Sequence, residues 1–204
     1  MIDVLDYGVG NIRSVLNAFN DVSDSVKFCK SVNEVRDSSR IVFPGVGAFQ
    51  PAMKKLIDGS WISLIRNFRE ENRPVLGICL GFQLMHKISG ENGIHEGLGI
   101  FQGKVLGFKD IQIPVSIPNI GWRRISITNK SPIFKNFSEK DAFYFLHSYY
   151  CELDTKATIA TSGHGIEFSA VNIDGMFIGA QFHPEKSSDS GKKFISNFID
   201  WNPN

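Results

Sequence analysis

The chain has 204 residues, of which 42% are hydrophobic, and a formal net charge of +1. That length can bury one good core, and the even charge balance gives no reason to expect nucleic acid as a partner. No apolar run is long enough to span a bilayer, and the N-terminus reads straight into a strand instead of a signal peptide, so a cytoplasmic protein without membrane contact is expected. Cys29, Cys79 and Cys151 are an odd, scattered set without metal-ligand spacing. Free thiols in a reducing compartment fit them better than a disulfide framework or a metal site.

In chain order, Ile2 to Asp6 reads as a buried strand, and Tyr7-Gly8-Val9-Gly10-Asn11 as a Gly-rich turn opening a helix to about Asn20. Gly8 and Gly10 lack the third glycine of a dinucleotide loop and the Lys-Ser/Thr of a P-loop, so a tight turn is expected there. Strands at Val26 to Cys29 and Arg40 to Phe43 and helices at Gln50 to Leu56 and Ile62 to Glu71 continue a β/α alternation. The strand Pro74 to Cys79 follows, and then a helix with Leu80, Leu84 and Ile88 on one face. Four short strands with helical crossovers predict a parallel sheet. Beyond them, Phe101 to Phe108, Arg124 to Thr128, Phe143 to Leu146, Thr158 to Thr161 and Glu167 to Ile173 read as strands joined by loops. A final helix, about Ser190 to Trp201, places Phe194, Phe198 and Trp201 on a core-facing stripe. The expectation is one α/β domain over residues 1–204: a mostly parallel central sheet flanked by helices, with an added antiparallel or mixed β portion.

The run Gly77-Ile78-Cys79-Leu80-Gly81 has the pattern of a nucleophile elbow. Glycines on both sides remove Cβ atoms where a strand-to-helix turn brings backbones together, and the strained turn exposes its central side chain. A following helix would point its positive end at the thiol and favour the thiolate. Taken alone, Cys79 reads equally well as a small buried hydrophobe. The balance tips at Gln181-Phe182-His183-Pro184-Glu185-Lys186-Ser187, where a strand ends in a histidine with a carboxylate two positions on. Alternation would turn both side chains the same way, so that Glu185 fixes the tautomer of His183 as the third member of a triad. The loop Pro44-Gly45-Val46-Gly47 follows a strand, and its glycines free the backbone to present amide N–H groups. With the N–H of Leu80, it can form an oxyanion hole, although by itself it reads as a tight turn. His147 stands in an aromatic strand and reads as a hydrogen-bonded core histidine, while His86, His95 and His164 read as exposed.

The elbow, the Gln181 to Ser187 segment and the Pro44 to Gly47 loop together resemble the class I glutamine amidotransferases. Within that family, Asp6-Tyr7-Gly8-Val9-Gly10-Asn11-Ile12-Arg13-Ser14-Val15 and Phe143-Tyr144-Phe145-Leu146-His147-Ser148-Tyr149-Tyr150 are similar to the HisH branch, the glutaminase subunits of imidazole glycerol phosphate synthase. The resemblance spans essentially the whole chain and implies a flavodoxin-like fold. It also implies that Cys79 attacks the side-chain amide of glutamine, that His183 protonates the leaving ammonia and then activates water, and that Glu185 orients His183. The oxyanion hole would use Gly45, Val46, Gly47 and Leu80, and the substrate would be held by Gln83, Glu91, Ser148 and Tyr149. No cofactor and no metal is implied. Read locally, Glu91 is equally a solvated surface acid in a Gly-rich stretch.

Ammonia released into water at neutral pH becomes ammonium and is lost as a nucleophile, so the resemblance implies a partner. In the HisH family that partner is a (β/α)8 barrel, HisF, which uses the ammonia to make imidazole glycerol phosphate and aminoimidazole carboxamide ribotide in histidine biosynthesis. The expected heterodimer interface comprises Asn11, Trp122, Arg123, Tyr144 and Lys186. The family also implies a glutaminase that is nearly silent until the partner's ligand resets the Pro44 to Gly47 peptide. The chain departs from the family at Pro118-Asn119-Ile120-Gly121-Trp122-Arg123, where Pro-His-Met-Gly-Trp-Asn is usual. An Arg at a docking surface needs a carboxylate opposite it. An alternative is therefore a HisH-like paralogue that feeds a surface-sugar amidotransferase through a HisF-like barrel. A non-glutaminase binding or peptidase-like member of the wider elbow-cysteine superfamily is a third reading, and His183 and Glu185 argue against it.

Overall fold

Alternating apolar residues build the first half of the molecule from the strands outward. The computed structural model describes residues 1–35 and 39–202. Strands β1 (Ile2–Leu5), β2 (Val26–Cys29), β3 (Arg40–Gly45) and β4 (Val75–Cys79) lie parallel, connected in part by α1 (Ile12–Asn20), α2 (Phe49–Asp58) and α3 (Trp61–Glu70). Ile2, Val4, Val42, Leu76 and Ile78 pack on one face of the sheet with Val15 and Phe19 of α1. Leu5, Ile41, Phe43 and Val75 pack on the other, against Leu56, Trp61, Ile65 and Phe68 of the helix pair. Each such side chain, fully buried, contributes about 1.5–3 kcal/mol of transfer free energy.

After β4 come the short helix α4 (Leu80–Leu84), β5 (His86–Ser89), β6 (His95–Glu96), β7 (Phe101–Gly107), β8 (Asn119–Arg124) and β9 (Ser126–Ile127). Then follow β10 (Ala142–His147), β11 (Tyr149–Cys151), β12 (Thr158–Gly163), β13 (Glu167–Asp174), β14 (Phe177–Ala180) and α5 (Ser188–Ile199). The main sheet has eight strands in the order β2-β1-β3-β4-β14-β13-β12-β9, parallel through β14 and antiparallel beyond it. A hairpin-like pair β10-β8 and a four-stranded sheet β11-β7-β5-β6 complete the β structure. Phe194 and Phe198 of α5, with Trp201 just after it, are buried beneath the main sheet's first face.

The parallel sheet with helices and the added antiparallel portion match the fold class expected from sequence. Several elements differ, among them the strands β6 and β11, which the sequence did not announce. The helix after Cys79 ends at Leu84, because His86 to Ser89 pair with β7 and β6 instead; Ile88 therefore sits in a strand. A fully paired strand, β8, occupies Asn119 to Arg124, and the strand expected at Arg124 to Thr128 is only the two residues of β9. The strand leading to His183 ends at Ala180. Among the described residues, no helix is long and apolar enough to cross a membrane.

Candidate active site

Strands β3, β4 and β14 are adjacent and parallel, so their carboxyl ends form one edge. The loop from Gly45 leaves β3 there, Cys79 ends β4 and His183 follows β14. The carboxyl edge of an open α/β sheet is where ligands bind.

Cys79 adopts φ 53° and ψ −105°, a conformation that costs a non-glycine residue about 1–3 kcal/mol and persists only where the surroundings enforce it. They do so here through close approach. A Cβ on Gly81 would lie 1.9 Å from the carbonyl oxygen of Phe43, and one on Gly77 would lie 2.8 Å from Sδ of Met85. Gly45, paired with Cys79 across the strands, is hemmed in by the Tyr7 hydroxyl, 2.6 Å from where its Cβ would stand. Tyr7 is buried, and its hydroxyl has no hydrogen-bond partner among the described residues.

His183 is pinned through its backbone to β10. Its N–H donates to the Tyr144 carbonyl at 2.9 Å, and the Ser187 hydroxyl donates to the His183 carbonyl at 2.6 Å while accepting from the Tyr144 N–H at 2.9 Å. A single 3-10 turn, Pro184–Lys186, then carries Glu185 back so that Oε1 lies 2.8 Å from His183 Nδ1. This turn, and not strand alternation, sets the pair. Both side chains are 3% exposed. Burial alone would lower the pKa of His183, but the charge of Cys79 and the bond to Glu185 outweigh it and raise the value to about 10. The bond to the carboxylate leaves Nδ1 as the donor. Nε2 is buried and has no hydrogen-bond partner among the described residues. An imidazole so held can deliver a proton from Nε2 to a leaving group beside the sulfur.

Cys79, Leu80 and His183 line a cavity of about 310 Å³ together with Val46 and Gly47 from the β3 loop. Gln83, Glu91, Ser148 and Tyr149, the expected substrate contacts, line the same cavity. Glu91 is not a solvated surface acid: its Oε2 accepts from the Phe49 N–H at 2.9 Å, serving the first turn of α2, whose own cap residue Ala48 offers no side-chain acceptor. Such a carboxylate at a helix N-terminus is both hydrogen-bonded and favoured by the helix dipole.

Two residues at this site carried no assigned role in the sequence. Gln181, wholly buried, donates from Nε2 to Cys79 Sγ at 3.9 Å. His147 lines the cavity as well. A buried amide directly after an apolar strand was the available signal for Gln181. His147 is the buried, hydrogen-bonded histidine that its aromatic strand predicts, and only its place on the cavity wall had no signal.

On the rim, Trp122 is 53% exposed and meets the Tyr144 ring edge-on at 6.1 Å, and Lys186 Nζ lies 5.8 Å from the same ring. Helix α1, which begins just after the exposed Asn11, packs against the Pro184–Lys186 turn. Arg123 does not join them. Alternation along β8 turns Ile120, Trp122 and Arg124 outward, while the half-buried Arg123 donates to Asn119 Oδ1 at 2.5 Å and to His164 Nδ1 at 2.9 Å. His86 and His164, expected to be exposed, are both buried, and burial pushes the pKa of His86 down to about 4. Among the described residues, no group of His, Cys, Asp and Glu could hold a metal ion.

The family model for glutamine amidotransferase class-I matches residues 3–201. The chain is 40% identical over 201 residues to the imidazole glycerol phosphate synthase subunit HisH of Methanosarcina acetivorans, with 98% of each chain covered. It is 39% identical to the subunit of that name from Chlorobaculum tepidum, covering 98% of this chain and 100% of the relative. Among solved structures, PurLQS from Thermotoga maritima superposes with a TM-score of 0.73 at 15% identity, over 98% of this chain and 97% of that one. A glutamine amidotransferase from Thermotoga maritima gives a TM-score of 0.62 at 19% identity, over 98% and 82%. These two show the fold. The elbow at Cys79, the residue 3–201 match and the full-length identities converge: the chain belongs to the class-I glutamine amidotransferases, in the family of HisH subunits.

Proposed function

We propose that the chain hydrolyses L-glutamine to glutamate and ammonia, and hands the ammonia to a HisF-type (β/α)8 synthase in cytoplasmic histidine biosynthesis. The observation that carries the chemistry is the juxtaposition of Cys79, His183 and Glu185 at one end of three adjacent strands. The Cys79 sulfur attacks the carboxamide carbon, and the oxyanion is met by N–H groups of the Gly45 to Gly47 segment and of Leu80. His183 takes the thiol proton at Nε2 during the attack and gives it to the departing nitrogen, leaving a thioester. It then takes a proton from water, whose attack releases glutamate and restores the thiol. Glu91, fixed at the start of α2, takes the α-amino group of the substrate, and Gln83, Ser148 and Tyr149 surround the rest.

The barrel docks where Asn11, Trp122, Tyr144 and Lys186 lie, beside the turn that holds Glu185, and yields imidazole glycerol phosphate and aminoimidazole carboxamide ribotide. The sugar-amidation alternative rested on an unpaired cation at this face. Arg123 instead turns inward and donates to Asn119 and His164 of its own chain, which weakens that argument. With the cognate barrel and its ligand present, the wild-type complex is expected to release glutamate, and Cys79→Ala to release none. The pair should also restore growth to a histidine auxotroph lacking its own glutaminase subunit. A wild-type complex that releases no glutamate would overturn the proposal.

A further inference from the structure

Opposite His183, a buried run of polar groups unused by the proposed chemistry leads from β8 to the sulfur. Arg123 Nε donates to Asn119 Oδ1 at 2.5 Å, and Asn119 Nδ2 lies 2.9 Å from His147 Nε2. His147 Nδ1 lies 2.7 Å from the Tyr149 carbonyl oxygen, which also accepts from Gln83 Nε2 at 2.9 Å. Gln83 Nε2 donates its second hydrogen to Gln181 Oε1 at 3.3 Å, and Gln181 Nε2 reaches Cys79 Sγ. Asn119, His147, Gln83 and Gln181 are all buried.

The direction of every bond follows from the groups at the ends. A carbonyl only accepts, so His147 carries its hydrogen on Nδ1 and presents a lone pair at Nε2. Asn119 must therefore offer its NH₂ to His147 and its oxygen to Arg123, whose guanidinium only donates and is always charged. At the other side, Arg123 Nη2 donates to His164 Nδ1 at 2.9 Å, and His164 Nε2 donates to the Ser116 carbonyl at 2.7 Å. Every donor meets an acceptor only when both histidines are neutral. Turning the Asn119 amide over to accept from a protonated His147 would set its NH₂ against the Arg123 N–H.

We propose that Arg123 is a positioning residue: by locking Asn119, it holds His147 neutral in the Nδ1–H tautomer. This fixes the Tyr149 carbonyl on which the Gln83–Gln181 amide pair, and through it the Cys79 sulfur, is aligned. The role rests on the glutaminase reading above. The surroundings of His147 agree with it. Burial, the largest cause, pushes its pKa down to about 3, with the charges of His183 and Arg123 adding to the effect against the bond to the Tyr149 carbonyl. The titratable and charged groups around it are Arg123 from β8, His164 from the β12–β13 turn, and Cys79, Glu91, Tyr149 and His183 along the cavity. The rings of Phe108, Phe145 and Phe168 cover the remaining sides, with centroids 5.3–5.7 Å away.

The test pairs histidine side-chain ¹⁵N NMR of the full chain with glutamine kinetics of its complex with the barrel. In wild type, His147 should show the single Nδ1–H tautomer and no titration between about pH 5 and 8, the range in which an unperturbed histidine ionises. Arg123→Leu should mix the tautomers and bring the titration into that range. It should also lower kcat/KM for glutamine roughly ten- to a hundredfold, most at the acid end, with barrel affinity unchanged. Arg123→Lys, which keeps one donor, should recover part of the loss. Asn119→Asp should drive His147 to the imidazolium and reproduce the defect, so the test survives a failure of Arg123→Leu to fold. The proposal is overturned if His147 keeps its tautomer in Arg123→Leu and Asn119→Asp, or if their whole defect lies in barrel affinity. A wild-type complex without glutaminase activity would sink the functional reading instead, and the NMR would still judge the hydrogen-bond arrangement.

Discussion

The cavity has two walls built on different principles. One is the edge of parallel strands, where close backbone packing forces Cys79 into a strained turn and a carboxylate holds His183 charged. The other is the antiparallel wall of β8, β10 and β11, where an amide and a carbonyl hold His147 uncharged. One histidine is pushed up to about 10, the other down to about 3, in the same pocket. Burial acts downward on both, so what separates them is the partner. The charge of Cys79 and a charged acceptor on Nδ1 make a proton donor, whereas a neutral carbonyl and an arginine two bonds away make a fixed strut.

The sharpest way to break this contrast is Glu185→Gln, which removes the charged partner and leaves the shape. Glutamine turnover of the complex should fall by about 10²–10⁴-fold, as expected when a base loses the carboxylate that sets its tautomer. The pKa of His183, followed by NMR, should fall with it. Unchanged turnover would mean that the two walls are not chemically distinct. Next in size is the packing difference. Gly81→Ala forces a Cβ to 1.9 Å from the Phe43 carbonyl and should cost roughly 3–5 kcal/mol in urea unfolding. Gly121→Ala, on β8, meets only its positive φ and open space and should cost about 1–3 kcal/mol.

The most gradual effect, spread over several pH units, is in the pH dependence of stability. His86 and His147 have folded values of about 4 and about 3, below the ordinary 6.5, so on unfolding each takes up a proton once the pH drops below about 6.5. Their contribution is present above that pH and is lost as pH falls toward about 4 for His86 and about 3 for His147, at up to ~1.4 kcal/mol per pH unit for each. His183 has the opposite sign: its contribution is complete below about pH 6.5 and is lost as pH rises toward 10. Between them the three histidines favour the folded state most near pH 6.5. Urea titrations should show His147→Gln flattening the acid limb and His183→Gln the alkaline one. A wild-type acid limb already flat would show that the antiparallel wall does not keep its histidines neutral.

The parallel edge was far more legible in sequence than the antiparallel wall. The strand Val26 to Cys29 was placed at its observed bounds, and glycines at 77 and 81 announced the elbow because only glycine tolerates those contacts. The spacing of Leu80, Leu84 and Ile88 suggested a longer helix, since a short apolar strand of a second sheet shows the same residues at the same intervals. Strand β8 escaped notice because its pattern is inverted: Ile120 and Trp122 face outward, Asn119 and Arg123 inward, and Gly121 interrupts them. The burial of His86 and His164 depends on rings and strands that are distant in sequence, so nothing local announced it.

The order of strands in the main sheet also bears on biosynthesis. β14 is inserted between β4 and β13, and it is β14 that brings His183 and Glu185 to the thiol. A nascent chain that has completed the elbow therefore holds a cysteine with no base beside it. The reactive centre comes into being only when this late strand closes the sheet, so a chain that stops short of it lacks both His183 and Glu185.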